Sequence, residues 1–429
     1  MQHPGRTSAP VFRLTGIEVV WELVAADVDA DGNPDLVSID AERKLSVLRG
    51  KGDGNFHRPL TYQTAPQDPL VDLEAVDLNA DGGPDLIFTG SRSSSRGWLD
   101  VLLNDGAGHF RRDGRYVTEG FISAVVAADV NSDGIVDLAA AHPSGEPLPQ
   151  LSVLLGTGAG RFAAPRAVIG PGVADVAVGD LNGDGKLDVA LRNNDTERVA
   201  LRLGNGDGTF GPERAFGPRD VLELALADLN HDGKLDLVAG RGDRGSGVVL
   251  FLGNGDGTLG AASAYPMSSQ PSSVAIADFD GDGNADIATS EFVGARIVLR
   301  SGRGDGTFGR VQSVPWQTSG PLEVTDVNGD GRPDLAAPGS VGRGADQATV
   351  VLNWTGLPAP PCVVVHVTRA RLRKAQRDIK HAGCQLTEIR HRYSRKVGKN
   401  RVISQRPNYG AVLPSHAPVH LVVSRGRRR

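Results

Sequence analysis

Residues 228–237 read DLNHDGKLDL, and the spacing of their acidic and amide side chains decides how the rest of the chain is read. Oxygen-bearing side chains stand at positions 1, 3, 5 and 9 of this stretch, and a glycine occupies position 6. Like charges repel, so a pattern that gathers carboxylates so closely needs a physical reason. The pattern is repeated along the chain, starting at Asp27, Asp77, Asp129, Asp180, Asp228, Asp278 and Asp326. Successive starts are 50, 52, 51, 48, 50 and 48 residues apart. So regular a period marks a repeat architecture.

The residues around each copy give the repeat its form. An alternating run such as SVAIAD precedes the loop, and a short apolar run such as LDVAL follows it. Next comes a third strand ending in a glycine-rich turn, as in VALRLGNGDGTF and VVLFLGNGDGTL, then a weaker fourth. Period-two alternation with Gly, Asp and Asn punctuation predicts antiparallel meanders. Four strands per repeat, seven times over, predict an all-β, seven-bladed β-propeller. A solenoid of stacked repeats would call for distinctive polar caps, which the sequence lacks. The last repeat stops after its third strand, ATVVLN, and the chain begins with APVFRLTGI, which matches a fourth strand. The N-terminal strand is therefore expected to complete the last blade and remove an exposed sheet edge.

The pattern D-x-[DN]-x-D-G-x-x-D is an oxygen-only cage, with a backbone carbonyl available at position 7. Calcium, a hard and flexible cation, takes about six to eight such ligands. The predicted ligands are Asp27, Asp29, Asp31 and Asp35 in the first loop, and Asp77, Asn79, Asp81 and Asp85 in the second. The third and fourth loops offer Asp129, Asn131, Asp133, Asp137 and Asp180, Asn182, Asp184, Asp188. The remaining three offer Asp228, Asn230, Asp232, Asp236, then Asp278, Asp280, Asp282, Asp286, then Asp326, Asn328, Asp330, Asp334. Up to seven Ca²⁺, one per blade, are expected. An EF-hand would need a Glu at position 12. Here that position is Ser38, Phe88, Ala140, Leu191, Ala239, Thr289 or Ala337, so the EF-hand is rejected. Asp and Asn also favour plain turns, but seven loops that all keep Asp at positions 1, 5 and 9 favour a metal.

These features resemble the FG-GAP/VCBS repeat, the calcium-loop blade also found in the integrin α-chain propeller. The resemblance covers residues 11–353 and implies that each loop joins the first two strands of its blade and binds calcium.

Strand alternation places the acidic loops and glycine turns on one face. The opposite face carries irregular loops such as GSRSSSRGW and GRGDRGSG. Irregular loops on a rigid scaffold are where recognition usually resides. Several are basic, and Arg92, Arg96, Arg241 and Arg244 are candidate contacts for a protein or glycan ligand, with Trp21 and Trp98 as a possible platform. Simple solvated loops are the competing reading. Of two RGD strings, Arg303-Gly304-Asp305 is one version of the glycine turn, while Arg241-Gly242-Asp243 sits on an irregular loop.

The formal net charge of -5 hides a division. Residues 362–429 carry 17 Lys and Arg against only Asp378 and Glu388, which leaves the rest of the chain strongly acidic. Opposite charge implies different partners. We therefore expect a propeller over residues 1–355, a proline-rich linker over 356–361 and a small α+β domain over 362–429. Leu372, Ala375, Ile379 and Ala382 share one helix face, and strands follow at VISQRPNYGAVLP and VHLVVSRG. Val402, Gln405, Pro407, Gly410, Val419, Leu421, Ser424 and Gly426 resemble a PASTA domain, the module that bacterial cell-wall proteins use to contact peptidoglycan. Val365, Arg369, Thr387 and His416 depart from that pattern. Cys362 and Cys384 are the only cysteines, and pairing them would close the first part of this domain in an oxidising compartment.

The expected protein is thus a secreted, calcium-binding propeller acting as a binding or adhesion module, held at the bacterial cell wall by its C-terminal domain. It is expected to be monomeric, with peptidoglycan or another anionic wall polymer as partner. Met1–Pro10 lacks a signal-peptide pattern, and no apolar run approaches the roughly 18 residues that span a bilayer. The basic residues are not interleaved with aromatics, which disfavours nucleic acid. No H-E-x-x-H, G-x-S-x-G or phosphate loop is present, so no enzyme is expected. A propeller-based polysaccharide lyase or hydrolase is the alternative.

Overall fold

The protein was analysed as a computed structural model. It describes residues 11–13, 20–40, 44–63, 70–93, 95–144, 149–242, 246–291, 296–314, 320–338, 349–352, 362–363, 367–381, 385–407, 412–413 and 418–426. The chain divides into two compact units, one of the repeats over Val11–Ala277 and Ala285–Asn353, the other of the C-terminal residues, with which Asp278–Asn284 is grouped.

Among the described residues, the repeat unit shows seven four-stranded antiparallel sheets, one per acidic loop. In the first sheet the strands Val20–Ala26, Asp35–Asp40, Lys44–Leu48 and Leu60–Gln63 pair in chain order. The next five sheets keep that order, with first strands Leu70–Val76, Ala124–Ala128, Val173–Gly179, Val221–Ala227 and Pro271–Ala277. In the seventh, Glu323–Thr325, Asp334–Pro338 and Thr349–Leu352 are followed by Val11–Arg13. That last strand pairs Val11 with Leu352 and Arg13 with Val350, which joins the start of the chain to its last repeat.

The second strand of each sheet is buried on both sides, as the burial of Leu36, Val37, Leu86, Ile87, Val189, Ala190, Leu237 and Val238 shows. This explains the continuous apolar runs after each loop: sheets stacked face to face leave the middle strands no solvent side. Adjacent sheets share clusters of such residues. Leu181, Ala190 and Leu201 pack with Leu224, Leu237 and Phe251 between the fourth and fifth sheets. Leu23, Leu36 and Leu48 of the first sheet pack with Val327 and Ala336 of the seventh. The Gly54 amide also donates to the Val327 carbonyl at 3.0 Å, as Gly160 does to Leu78 and Gly257 to Leu181 at 3.1 Å. The glycine turns of the third and fifth sheets thus rest on the acidic loop of the sheet before, and the first sheet's turn rests on the seventh.

In the C-terminal unit, the helix Leu372–His381 buries Ala375 and Ile379 against Val402, Val419, Leu421 and Val423. Ala382 and Gly383 fall outside the described residues. The strand Gln385–Arg392 was not read from the sequence; it pairs parallel to Pro418–Ser424, which is antiparallel to Val402–Arg406. Its register slips between Leu386 and Glu388. A bulge lets Leu386 and Ile389, three residues apart, both pack on the core, which breaks the period-two signal. Among the described residues no helix is long and apolar enough to cross a membrane.

Candidate metal centres

Each acidic loop is organised by backbone amides that converge on its carboxylates. In the first loop Asp27 Oδ1 accepts from the Asp31 amide at 3.1 Å and Oδ2 from the Gly32 amide at 2.9 Å. Asp31 Oδ1 in turn accepts from the Asn33 amide at 2.8 Å. The same position 1 to position 6 bond recurs from Asp77, Asp129, Asp180, Asp228, Asp278 and Asp326, at 2.7–3.0 Å. Where position 3 is Asn, its Oδ1 accepts the position 5 amide, at Asn79, Asn131, Asn182, Asn230 and Asn328. Asp133, Asp184, Asp232, Asp282 and Asp330 accept the position 7 amide as Asp31 does, and so does Asp81. A carboxylate oxygen has two lone pairs, so one such bond leaves room for a cation.

The backbone bends sharply to achieve this. The glycine at position 6 has φ of +87° at Gly32 and +82° at Gly233, and a Cβ there would meet nothing within 4 Å. Conformation, not space, requires glycine there. Position 4 is also left-handed: Ala30 at 56°, Ala80, Ser132 and His231 at 60°, with Gly183, Gly281 and Gly329 in the other loops. A non-glycine residue in this region costs about 1–2 kcal/mol. Such strain persists where the surrounding structure enforces it, commonly at functional sites.

Position 9 has a further role. Asp35 is buried; its Oδ2 accepts from Val28 at 2.9 Å and its Oδ1 from Gly50 at 2.7 Å. Asp236 likewise takes Leu229 at 3.0 Å and Gly253 at 2.8 Å, and Asp188 takes Leu181 and Gly204. This carboxylate therefore ties the loop entrance and the end of the third strand together across the second. Burial pushes its pKa up, to about 6 at Asp35 and about 7 at Asp334, and the loop's other aspartates add to the rise. The same direction, first from burial, holds at Asp85, Asp137, Asp188 and Asp236.

Two loops gather three carboxylates whose ligand atoms all lie within 4.8 Å of one another: Asp27, Asp29 and Asp35, and Asp278, Asp280 and Asp286. In the first of them Asp29 Oδ1 is buried with no hydrogen-bond partner among the described residues. Asp29 Oδ2 lies 3.5 Å from the Arg49 guanidinium, which offsets part of the charge, while the buried Oδ1 is left facing the other two carboxylates, where a further cation would satisfy it. The donor set, the sharp turn and the orphaned oxygen fit a hard divalent cation.

The glycine turns are committed to themselves. Asp207 Oδ1 accepts from the Thr209 hydroxyl and amide, and these bonds hold its carboxyl below the usual range. Asp305 of the second RGD string is held by Thr307 in the same way, so that string is a turn. Asp243 of the first string lies outside the described residues.

The opposite face differs from the expectation. Trp98 is 5% exposed and packs edge-on against Phe88 at 5.9 Å, with the Arg115 guanidinium 4.1 Å over its ring. It sits in the core shared by the first and second sheets, with Val37 and Leu45 among its cluster, so it forms no platform. Arg96 is exposed and Arg241 half-buried. The side chains of Trp21 and Arg92, and the whole of Arg244, lie outside the described residues. Cys384 does too, and with it the Cys362–Cys384 pairing.

In the C-terminal unit the PASTA-like residues are mostly internal. Val402, Val419 and Leu421 are core, Gln405 accepts from the Val367 amide at 2.8 Å, and the Ser424 hydroxyl donates to Val397 at 2.7 Å. They hold the fold together. Gly410 lies outside the described residues.

One group of acids escaped the sequence reading. Glu22, Asp72, Asp175 and Glu223 each stand five residues before a loop's first aspartate, in the first strand of four different repeats. A fixed offset from the loop was their one signal in the sequence. Together they border a cavity of about 510 Å³.

Repeated four-stranded antiparallel sheets, each entered through the same acidic turn, define an all-β, propeller-like repeat protein. The chain belongs to the family of FG-GAP-like repeats, whose model matches residues 27–88, 77–140, 129–191, 180–239 and 228–289. Residues 364–425 match the PASTA domain. Among solved structures, BBS1N in complex with ARL6DN, soaked with mercury, aligns at a TM-score of 0.55 and 14% identity, over 81% of this chain and 96% of that one. The BP39L lectin from Burkholderia pseudomallei aligns at 0.56 and 16%, over 79% and 97%. At such identities the likeness is one of fold. No curated protein matches the chain.

Proposed function

We propose that the repeat unit is a closed, seven-bladed propeller carrying calcium in its acidic loops, and that it serves as an extracellular binding module. The observation that carries the metal reading is the buried, unpartnered Oδ1 of Asp29 within the Asp27–Asp29–Asp35 group. Ring closure is supported by the shared core of the first and seventh sheets and by the pairing of Val11–Arg13 with the last repeat. The C-terminal domain attaches the protein to peptidoglycan or another anionic polymer of a bacterial cell wall, since PASTA domains commonly bind peptidoglycan-related ligands and 17 Lys and Arg lie in residues 362–429. Ligand recognition falls to the face opposite the metal loops, where Arg96 is exposed. The module is non-catalytic.

Binding to purified peptidoglycan sacculi and to a glycan array tests this division. The intact chain should sediment with sacculi, less so as salt rises, because exposed charges are screened beyond about 8 Å at physiological ionic strength. A chain ending at the linker should lose sacculi but keep any array ligand, and Arg96→Glu should lose that ligand alone. Equal sedimentation of both chains would defeat the assignment.

A further inference from the structure

The cavity bordered by Glu22, Asp72, Asp175 and Glu223 is built differently from the metal loops. Its lining comes from the first strand, or the segment leading into it, of every repeat. The register of these strands slips between Val20 and Glu22, Leu70 and Asp72, Val173 and Asp175, and Val221 and Leu224. A bulge at each acid re-aims its side chain, a device common beside binding sites.

Most of these carboxylates do part of their work by capping the neighbouring sheet. Asp72 accepts from the Val125 amide at 2.8 Å and Asp175 from the Leu224 amide at 2.8 Å. Glu223 Oε1 accepts from the Ser273 hydroxyl at 3.2 Å, while its Oε2 is buried with no hydrogen-bond partner among the described residues. Glu22 has no hydrogen-bond partner there either; it is half-buried, and burial first, then the charges of Asp72, Glu323 and Glu223, push its carboxyl well above the usual range. Two carboxylates thus border the cavity with unmet hydrogen-bonding capacity. An unpartnered buried acid is expensive, and a bound cation would relieve it.

The spacing and the walls decide which cation. Among the described residues, the close groups of three acidic ligands are those of the first and sixth loops, so the cavity's acids are too dispersed to grip one bare metal ion together. Between the acids the wall is largely apolar, with Val71, Leu222 and Pro271 among its residues, interrupted by the polar Ser123, Gln270 and Ser272. Separated charges joined by apolar surface match ammonium groups joined by methylenes. The volume lies within the roughly 300–1,000 Å³ of small-molecule sites.

We propose that this cavity binds an aliphatic polyamine, its ammonium groups on Glu22 and Glu223 and its methylene chain along the apolar wall. Burial pushes Glu223 up to about 8, so near neutral pH a bound ammonium would displace a proton there. The site is separate from the acidic loops and does not depend on their metal.

Calorimetric titration of the intact, calcium-saturated protein with spermine tests the assignment. One saturable site is expected, and Glu22→Gln with Glu223→Gln should weaken it at least about tenfold, the scale of one lost charged hydrogen bond. Glu22 caps no backbone amide among the described residues, so Glu22→Gln alone should keep the fold and still weaken spermine binding severalfold. Asp77→Asn in a metal loop should leave spermine affinity unchanged. The proposal is overturned by absence of saturable binding, by wild-type affinity in Glu22→Gln, or by an equal loss in Asp77→Asn, which would place the amine on the loop face.

Discussion

The repeat unit gathers acid in two ways, and the two gatherings were not equally visible. In the acidic loops all the carboxylates of a group lie within nine residues, so local backbone geometry alone brings them together. In the cavity each carboxylate comes from a different repeat, and only the arrangement of sheets makes them neighbours. The first kind of site is written in a window of sequence. The second is written in the period.

The largest effect expected from breaking a loop lies at position 9. Asp236→Ala leaves the Leu229 and Gly253 amides without their acceptor and should cost about 3 kcal/mol or more in denaturant unfolding. Asp228→Ala removes an acceptor at the exposed rim and should cost clearly less in calcium-free buffer. Equal losses would mean that the buried carboxylate is no more structural than its neighbours.

A smaller effect, dependent on pH, separates loops from cavity. Burial raises the cavity's carboxyls, Glu223 to about 8 and Asp72 and Asp175 to about 6, and also Glu74 and Glu323, in first strands but outside its lining, to about 7. Such a group binds more protons folded than unfolded between its ordinary value, about 4, and its raised one. Stability should therefore fall as pH rises from about 4 to about 8. The position 9 aspartates push in the same direction when no metal is bound. Saturating calcium should flatten the loop contribution and leave that of the cavity, which Glu22→Gln with Glu223→Gln should then reduce. A stability that climbs over this range in calcium-free buffer would contradict the burial of these acids.

The smallest effect tests the strain at position 4. Ala80→Gly relieves a left-handed alanine at the entropic cost of glycine, so a gain of about 0.5 kcal/mol is expected in thermal unfolding. A loss would show that the turn carries no strain at Ala80.

Much of the repeat unit was legible because its signals are local. The alternation before each loop, the glycine at position 6 and the period near fifty all reappear as strands, turns and sheets. The rest needed neighbours that sequence order does not supply. Asp35 could be read as a ligand, but its hold on the Gly50 amide fifteen residues away could not. Trp98 looked like a surface aromatic beside an irregular loop, yet the packing of the first sheet on the second takes it into the core. Gln385–Arg392 was missed because a bulge shifts its apolar residues out of step. Glu22 carries no signal in the sequence beyond its offset from the loop, and only the meeting of repeats gives it carboxylate company.

Direct counting of bound calcium decides whether the loops are metal sites at all. The intact protein, equilibrated with calcium and freed of unbound ion, would be analysed for metal per chain, and its melting temperature followed with and without EDTA. Each folded-state ligand at a hundredfold excess over its dissociation constant adds about 2.7 kcal/mol, so seven sites compound to a large effect. Close to seven calcium ions per chain are expected, one for each loop from Asp27 to Asp326, with a steep fall in melting temperature on chelation that calcium restores and magnesium restores poorly. A chain that retains no calcium and melts unchanged in EDTA would show that these loops are turns and nothing more.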